Sequence, residues 1–190
     1  MGWLFSQLRY INLSTLIVRI LILKRLMNMK LLLLPLSILL TVSVFGQSAE
    51  YKEMLNQYYD GFPTITIEDA VKNIGKKETI FLDIREKEEF NVSHIQGATR
   101  MRPDGSTIST LKNVRKDQLI IVYCSVGARS QTFGEMLQKD GFTNVVNMYG
   151  GLFYWANMHY PMVDIKENKT ERIHGYNKDW GKWVKENVVY

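Results

Sequence analysis

The run Gln118–Tyr123 (QLIIVY) constrains this chain more than any other stretch, because after its first residue it is apolar without interruption and its centre is β-branched. A strand with one wet face alternates apolar and polar positions. One that does not alternate must be covered on both faces, as in a parallel sheet flanked by helices. The neighbouring segments agree. Glu78–Asp83 (ETIFLD) reads as a second buried strand, and Ala98–Met101 and Asn144–Met148 as two more. Thr66-Ile67-Glu68-Asp69 resembles a capping box that opens a helix, and Gly75 stops it. Glu86–Asn91 reads as a short helix with acids in its first turn, where the helix dipole favours them. Ser130–Asp140 puts Phe133, Met136 and Leu137 on one face before Gly141, and Gly151–Met158 is a last helix. Residues 103–118 are polar, with one helical turn expected around Leu111. Strands alternating with helices predict an α/β domain, its central parallel sheet covered by helices on both faces.

That pattern occupies residues 64–162. Residues 47–63 read as an N-terminal linker. Residues 163–190 read as a polar tail in which Trp180 and Trp183 share one face of a docked helix, or form a patch for a protein partner. The first 46 residues are of another kind. They hold Arg9, Arg19, Lys24, Arg25 and Lys30 and no acid, so they account for the whole net charge of +5: of 24 basic residues, 24 − 5 = 19 remain, against 19 acidic ones. A neutral remainder without a basic aromatic patch argues against a nucleic-acid partner. Within the extension, residues 31–45 (LLLLPLSILLTVSVF) follow Lys30 and end at Gly46-Gln47-Ser48-Ala49. A basic start, a short apolar run and a small-residue exit are the parts of a secretory signal peptide. The run is shorter than the ~20 residues of a typical membrane span. Cleavage is expected before Gln47, or alternatively after Ala49, which would place the mature protein in the periplasm or outside the cell. An uncleaved segment would anchor it in the membrane instead. Met27 and Met29 lie where such a peptide ordinarily begins, and Leu13–Leu23 offers a second apolar helix.

The chemistry centres on one residue. Cys124 is the only cysteine, which excludes an intramolecular disulfide, a Cys-x-x-Cys pair and a multi-cysteine zinc site. His94, His159 and His174 are too widely spaced to suggest a metal. A lone cysteine is ordinarily a small buried hydrophobe, but the position of this one reverses that expectation. It directly follows the strongest strand, and Ser125, Val126, Gly127, Ala128 and Arg129 lead from it into a helix. Ligands of open α/β sheets bind beyond the carboxyl ends of the strands. Helix N-termini present unpaired N–H groups there, which should favour a thiolate and lower the thiol pKa. Gly127 lets the loop curl without a Cβ clash. Arg129 could grip an oxyanion, and is expected to serve substrate binding rather than folding.

Here a resemblance becomes specific. Cys124-Ser-Val-Gly127-Ala-Arg129-Ser130 resembles the active-site loop of rhodanese-like sulfurtransferases, of the form C-x-x-G-x-R-S. Leu82-Asp83-Ile84-Arg85 followed by Glu88-Glu89-Phe90, then His94-Ile95-Gln96-Gly97-Ala98, resemble two further blocks of that family, and Gly150-Gly151-Leu152 before Trp155 matches its end. The six-residue span from Cys124 to Arg129 is similar to that of sulfur-transferring members. Phosphatases of the same fold carry one residue more. Thr99-Arg100-Met101-Arg102-Pro103 departs from the family pattern, and Arg100 and Arg102 are expected to face solvent. The resemblance implies a Cys124 persulfide that passes sulfane sulfur from a small-molecule donor such as thiosulfate to a thiol or cyanide, with no cofactor. Asp83 and Arg85 are expected to pair beneath the loop, and His94 to shape it by hydrogen bonding. The rival readings are a non-catalytic rhodanese-like binding module and a membrane-tethered sulfur carrier.

Overall fold

A computed structural model describes residues 17–25 and 48–190. The chain divides into two units, Met1–Gly46 and Gln47–Tyr190. In the first, residues 17–25 form helix α1, and its side chains are exposed. The apolar run 31–45, with the cleavage sites expected at 46–47, lies outside the described residues. No helix among the described residues is long and apolar enough to cross a membrane.

The second unit is built on a five-stranded sheet of β1 (Thr64–Ile65), β2 (Thr79–Asp83), β3 (Thr99–Arg100), β4 (Leu119–Tyr123) and β5 (Val145–Met148). The strand order is β1-β5-β4-β2-β3 and every pairing is parallel. Strand β4 is central, pairing Ile121 with Phe81 of β2 on one side and with Val146 of β5 on the other. Its alternate residues feed two separate cores. Ile121 and Tyr123 join Tyr51, Leu55, Ile67, Leu152 and Trp155 on one face. Ile120 and Val122 join Leu82, Phe133, Leu137 and Phe142 on the other. Burial of both faces is what the uninterrupted apolar run demanded. Helix α5 (Ala128–Lys139) covers the second face through Phe133 and Leu137, while α3 (Ile67–Val71) and α6 (Gly151–Asn157) cover the first. Thr66 caps α3 by accepting from the Asp69 amide, and the turn expected near Leu111 is a 3-10 segment, Ile108–Leu111.

Both flanks depart from the sequence reading. Residues 47–63 are not a linker. They contain α2 (Ala49–Asn56), capped by Ser48, with Tyr51 and Leu55 buried in the first core and the Tyr51 hydroxyl donating to the Gly150 carbonyl at 3.1 Å. Apolar residues at 51, 54 and 55 have helical spacing, so this helix buries a stripe and cannot remain apart. Nor is the tail one docked helix. Its strand β6 (Met162–Val163) forms an antiparallel hairpin with β7 (Lys169–Thr170), turning on the Asp164 carboxylate, which accepts from the amides of Lys166 and Asn168. Then β8 (Ile173–His174) pairs in parallel with β9 (Val188–Val189) around a single-turn helix, α7 (Lys178–Gly181). Tyr176 and Asn187 adopt left-handed backbone conformations that end regular structure on either side of α7. Trp180 packs on Tyr58 and Trp183 on Tyr51, so both indoles do lie against the domain.

Candidate active site

Cys124 directly follows β4, and Gly127 caps α5 three residues later. The Gly127 amide donates to the Cys124 sulfur at 3.2 Å. Among the described residues, the amides of Ser125, Val126, Ala128 and Arg129 have no protein acceptor. The loop therefore presents a run of N–H donors at the positive end of a twelve-residue helix, the arrangement that receives anions. Cys124 is buried and lines a cavity of about 200 Å³.

Two close approaches hold the loop. At Gly127, φ is +107°, and a Cβ would fall 1.8 Å from the Tyr59 hydroxyl. That hydroxyl accepts from the Gly150 amide at 2.6 Å and lies 3.0 Å from the Val126 carbonyl. At Gly151, a Cβ would meet the carbonyl oxygens of Cys124 and Ser125. The start of α6 approaches so closely that the Leu152 and Phe153 amides donate to those two oxygens. The loop's carbonyls are thus bonded to α6, Tyr59 and Asn147, and its Gly127 amide points to the Cys124 sulfur. Ser130 and Asn147 brace the turn from below. The Ser130 hydroxyl lies 2.8 Å from Asn147 Oδ1, and Asn147 Nδ2 donates to the Gly127 carbonyl at 2.9 Å.

Arg129 is placed differently from its sequence expectation. Its guanidinium makes a two-pronged pair with Glu89, at 2.8 and 2.9 Å, and Nη2 also donates to the Ser125 hydroxyl. Ser125 in turn donates to Glu89. Burial opposes the guanidinium's charge, but the Glu89 carboxylate and the nearby Cys124 sulfur outweigh it and raise its pKa. For Glu89, burial likewise opposes ionisation, and the Arg129 contact prevails and lowers its pKa. The charge expected to grip an oxyanion is therefore already matched. Glu89 reaches this position because α4 (Lys87–Val92) begins with a capping box: the Glu86 amide donates to the Glu89 carboxylate, which fixes that side chain inward.

Asp83 and Arg85 form the expected ion pair, 2.7 Å apart and fully buried, and the same guanidinium donates to the Ser93 carbonyl. Burial works against the Arg85 charge, and the Asp83 carboxylate more than compensates. The pair ties the end of β2 to the segment entering β3, beside β4. His94 stacks on Phe90, its Nδ1 lies 3.0 Å from the Phe90 carbonyl, and its backbone bridges to Val163. None of these partners belongs to the cysteine loop. Arg100 is half-buried and donates to the Arg85 carbonyl, while Arg102 is exposed and pairs with Asp104. The sequence reading missed Glu89 as a loop anchor, Tyr59 as the side chain packed against Gly127, and Tyr176 and Trp180 as cavity lining. The Glu86-x-x-Glu89 capping spacing was the available signal for the first.

Residues 66–158 match the family model for a rhodanese-like domain. Among curated proteins, a tRNA uridine(34) hydroxylase from Staphylococcus aureus is 28% identical over 130 residues, covering 57% of this chain. The match spans only 40% of that relative's length. Among solved structures, the solution structure of a rhodanese-like domain from Anabaena sp. aligns at 24% identity with a TM-score of 0.50, over 57% of this chain and 83% of that one. A rhodanese-related protein from Thermoplasma volcanium aligns at 28% identity with a TM-score of 0.47, over 54% of this chain and 98% of that one. The Anabaena likeness shows a shared fold. The family model ends at residue 158, short of the tail that carries Tyr176 and Trp180.

Proposed function

Taking as premise that residues 66–158 are a rhodanese-like domain, we propose that the chain is a sulfurtransferase with Cys124 as its carrier. The observation that carries this reading is a cysteine sulfur at the N-terminus of α5 that accepts the Gly127 amide at 3.2 Å, in a loop whose other amides have no protein acceptor among the described residues. In the first step the Cys124 thiolate attacks the sulfane sulfur of a donor. A new S–S bond forms, the donor's own S–S bond breaks, and its electron pair leaves with sulfite when the donor is thiosulfate. In the second step a thiolate or cyanide attacks the outer sulfur of the persulfide and the Cys124 thiolate departs. The two displacements cancel in redox terms and need no proton shuttle once the thiolate exists. The terminal sulfur of the persulfide carries a negative charge, which the loop amides and the helix end receive. Glu89 and Arg129 hold the loop's shape, and Asp83 and Arg85 hold the strand ends beneath it.

The apolar run 31–45 supports export of this domain by a cleaved signal, with retention as an anchor as the alternative. Intact mass of the exported chain separates them, since a mass including residues 31–45 rules out cleavage. The catalytic reading is tested by exposing the protein to thiosulfate and measuring its mass. The expected gain is one sulfur atom on Cys124, reversed by cyanide. Cys124→Ser should gain none and melt near the parent, since the side chains are similar in size. Turnover retained by Cys124→Ser would remove the proposal.

A further inference from the structure

The cavity above Cys124 has a wall that the matched family segment does not supply. Tyr176 and Trp180, from the tail, line about 200 Å³ of space together with Cys124, Val126 and Ala128. Tyr176 adopts φ +63°, a conformation that L side chains avoid. Its amide bonds His174 Nδ1 at 2.9 Å, and its ring lies 5.2 Å from the Arg129 guanidinium carbon while remaining half in solvent. Backbone strain of this kind persists where the surroundings impose it, and it clusters at functional sites. Trp180 is seated by the Asn177 cap of α7, whose side chain accepts its amide, and by the Tyr58 ring 5.9 Å away. The charge balance matters as much as the shape. Among the described residues, Arg129 is the one cation lining this cavity, and Glu89 matches it. Anion recognition is thereby left to the amides around the sulfur, and the outer space is apolar and aromatic.

We infer that this site selects organic sulfane-sulfur compounds with a small apolar or aromatic substituent, which packs between Tyr176 and Trp180 while the reacting sulfur meets Cys124. This rests on the sulfurtransferase reading and narrows its substrate class. A cavity of this size is below the range of drug-sized sites, so it suits a single ring or a short chain. An inorganic donor would bring its sulfonate against the two rings and surrender water there without a free counter-charge. With an aryl thiosulfonate the chemistry balances as before: the Cys124 thiolate takes the outer sulfur, the donor's S–S bond breaks, and its electron pair leaves with the aryl sulfinate.

The test uses the full chain and three donors, benzenethiosulfonate, methanethiosulfonate and thiosulfate, with cyanide as acceptor. The first two share a leaving-group class and differ in the substituent, so their kcat/KM ratio isolates its packing. Tyr176→Ala and Trp180→Ala are each expected to lower the phenyl-to-methyl ratio by about threefold to tenfold, the worth of one aromatic contact. Trp180→Phe, which keeps a ring against Tyr58, should largely preserve it. Tyr176 is 51% exposed, so its truncation leaves the fold intact. Sulfur arriving on Cys124 with a ratio unmoved by Tyr176→Ala overturns this inference alone. No sulfur on Cys124 from any of the three donors overturns the sulfurtransferase reading, and this one with it.

Discussion

Truncating Arg129 to alanine should damage the fold more than donor binding, which reverses what its place in the loop suggests. The variant leaves the Glu89 carboxylate, whose side chain is 2% exposed, with only the Ser125 hydroxyl and the Glu86 amide. Breaking a buried ion pair by removing one partner costs about 3–5 kcal/mol. The Arg129 side chain is 29% exposed, so part of the pair's strength is already screened and the lower end applies, about 3 kcal/mol. For a unit of this size that is a fall in Tm of roughly 6–12 °C. The converse change should be milder. Glu89→Gln keeps a hydrogen-bonding group of the same shape, and the partly exposed guanidinium retains water, so about 1–2 kcal/mol is expected. Because the two residues touch, the double variant should be less destabilised than the sum by about 2 kcal/mol. Thermal melts of the four proteins in one buffer, with urea titrations to check that m is unchanged, measure all three quantities. If Arg129→Ala melts within a degree or so of the parent while its apparent KM for thiosulfate rises severalfold, the guanidinium is a free substrate ligand and the pairing argument is wrong.

The remaining predictions follow from the same neighbourhood. Acidification should weaken the fold through Glu89. Its folded pKa lies below the ordinary carboxylate value, so its contribution is complete above the unfolded pKa and is lost as pH falls through the folded one. In Arg129→Ala the strongest opposition to burial is gone while the Arg85 charge and the Glu86 amide still favour the carboxylate, so the acid midpoint should move to higher pH; an unchanged midpoint in circular dichroism against pH would contradict this. Gly127→Ala places a methyl 1.8 Å from the Tyr59 hydroxyl at a φ of +107°. It should cost about 2–4 kcal/mol and abolish sulfur uptake by Cys124, and a variant that melts and reacts like the parent would show that the loop is not held this tightly.

What was legible in the sequence was whatever its own local pattern encodes. Strand β4 declared itself because five consecutive apolar residues leave no face for water, and the cysteine at its end inherited a position from that strand. The buried Asp83 and Arg85 were expected to pair because opposite charges beneath such a loop often fix its geometry, and they do pair. What stayed hidden depends on contacts across long stretches of chain. Glu89 meets Arg129 forty residues away, and as one of two adjacent acids in a first helical turn it reads as an ordinary dipole partner. Arg129 was misread for the same reason: a cation at a loop's end looks free until its counter-ion is located.

The flanks show where local reading stops. Helix α2 was within reach, because residues 51, 54 and 55 carry a helical stripe, yet its consequence was not: Tyr59, just beyond that helix, fills the space that the absent Cβ of Gly127 leaves open. In the tail only the docking of Trp180 and Trp183 was within reach, since strands of two residues have no period and a single helical turn has no stripe. Both flanks nevertheless end at the same loop, Tyr59 from before the matched segment and Tyr176 and Trp180 from after it. Within that segment lie Cys124, the loop amides and the Glu89–Arg129 brace, which are the groups that any persulfide needs. The residues around the reacting sulfur's exit come from outside it. On the proposed function, chemistry and selectivity are then carried by different parts of the sequence. Changes in the tail should alter which sulfur compound is accepted, while changes in the loop should alter whether sulfur is accepted at all.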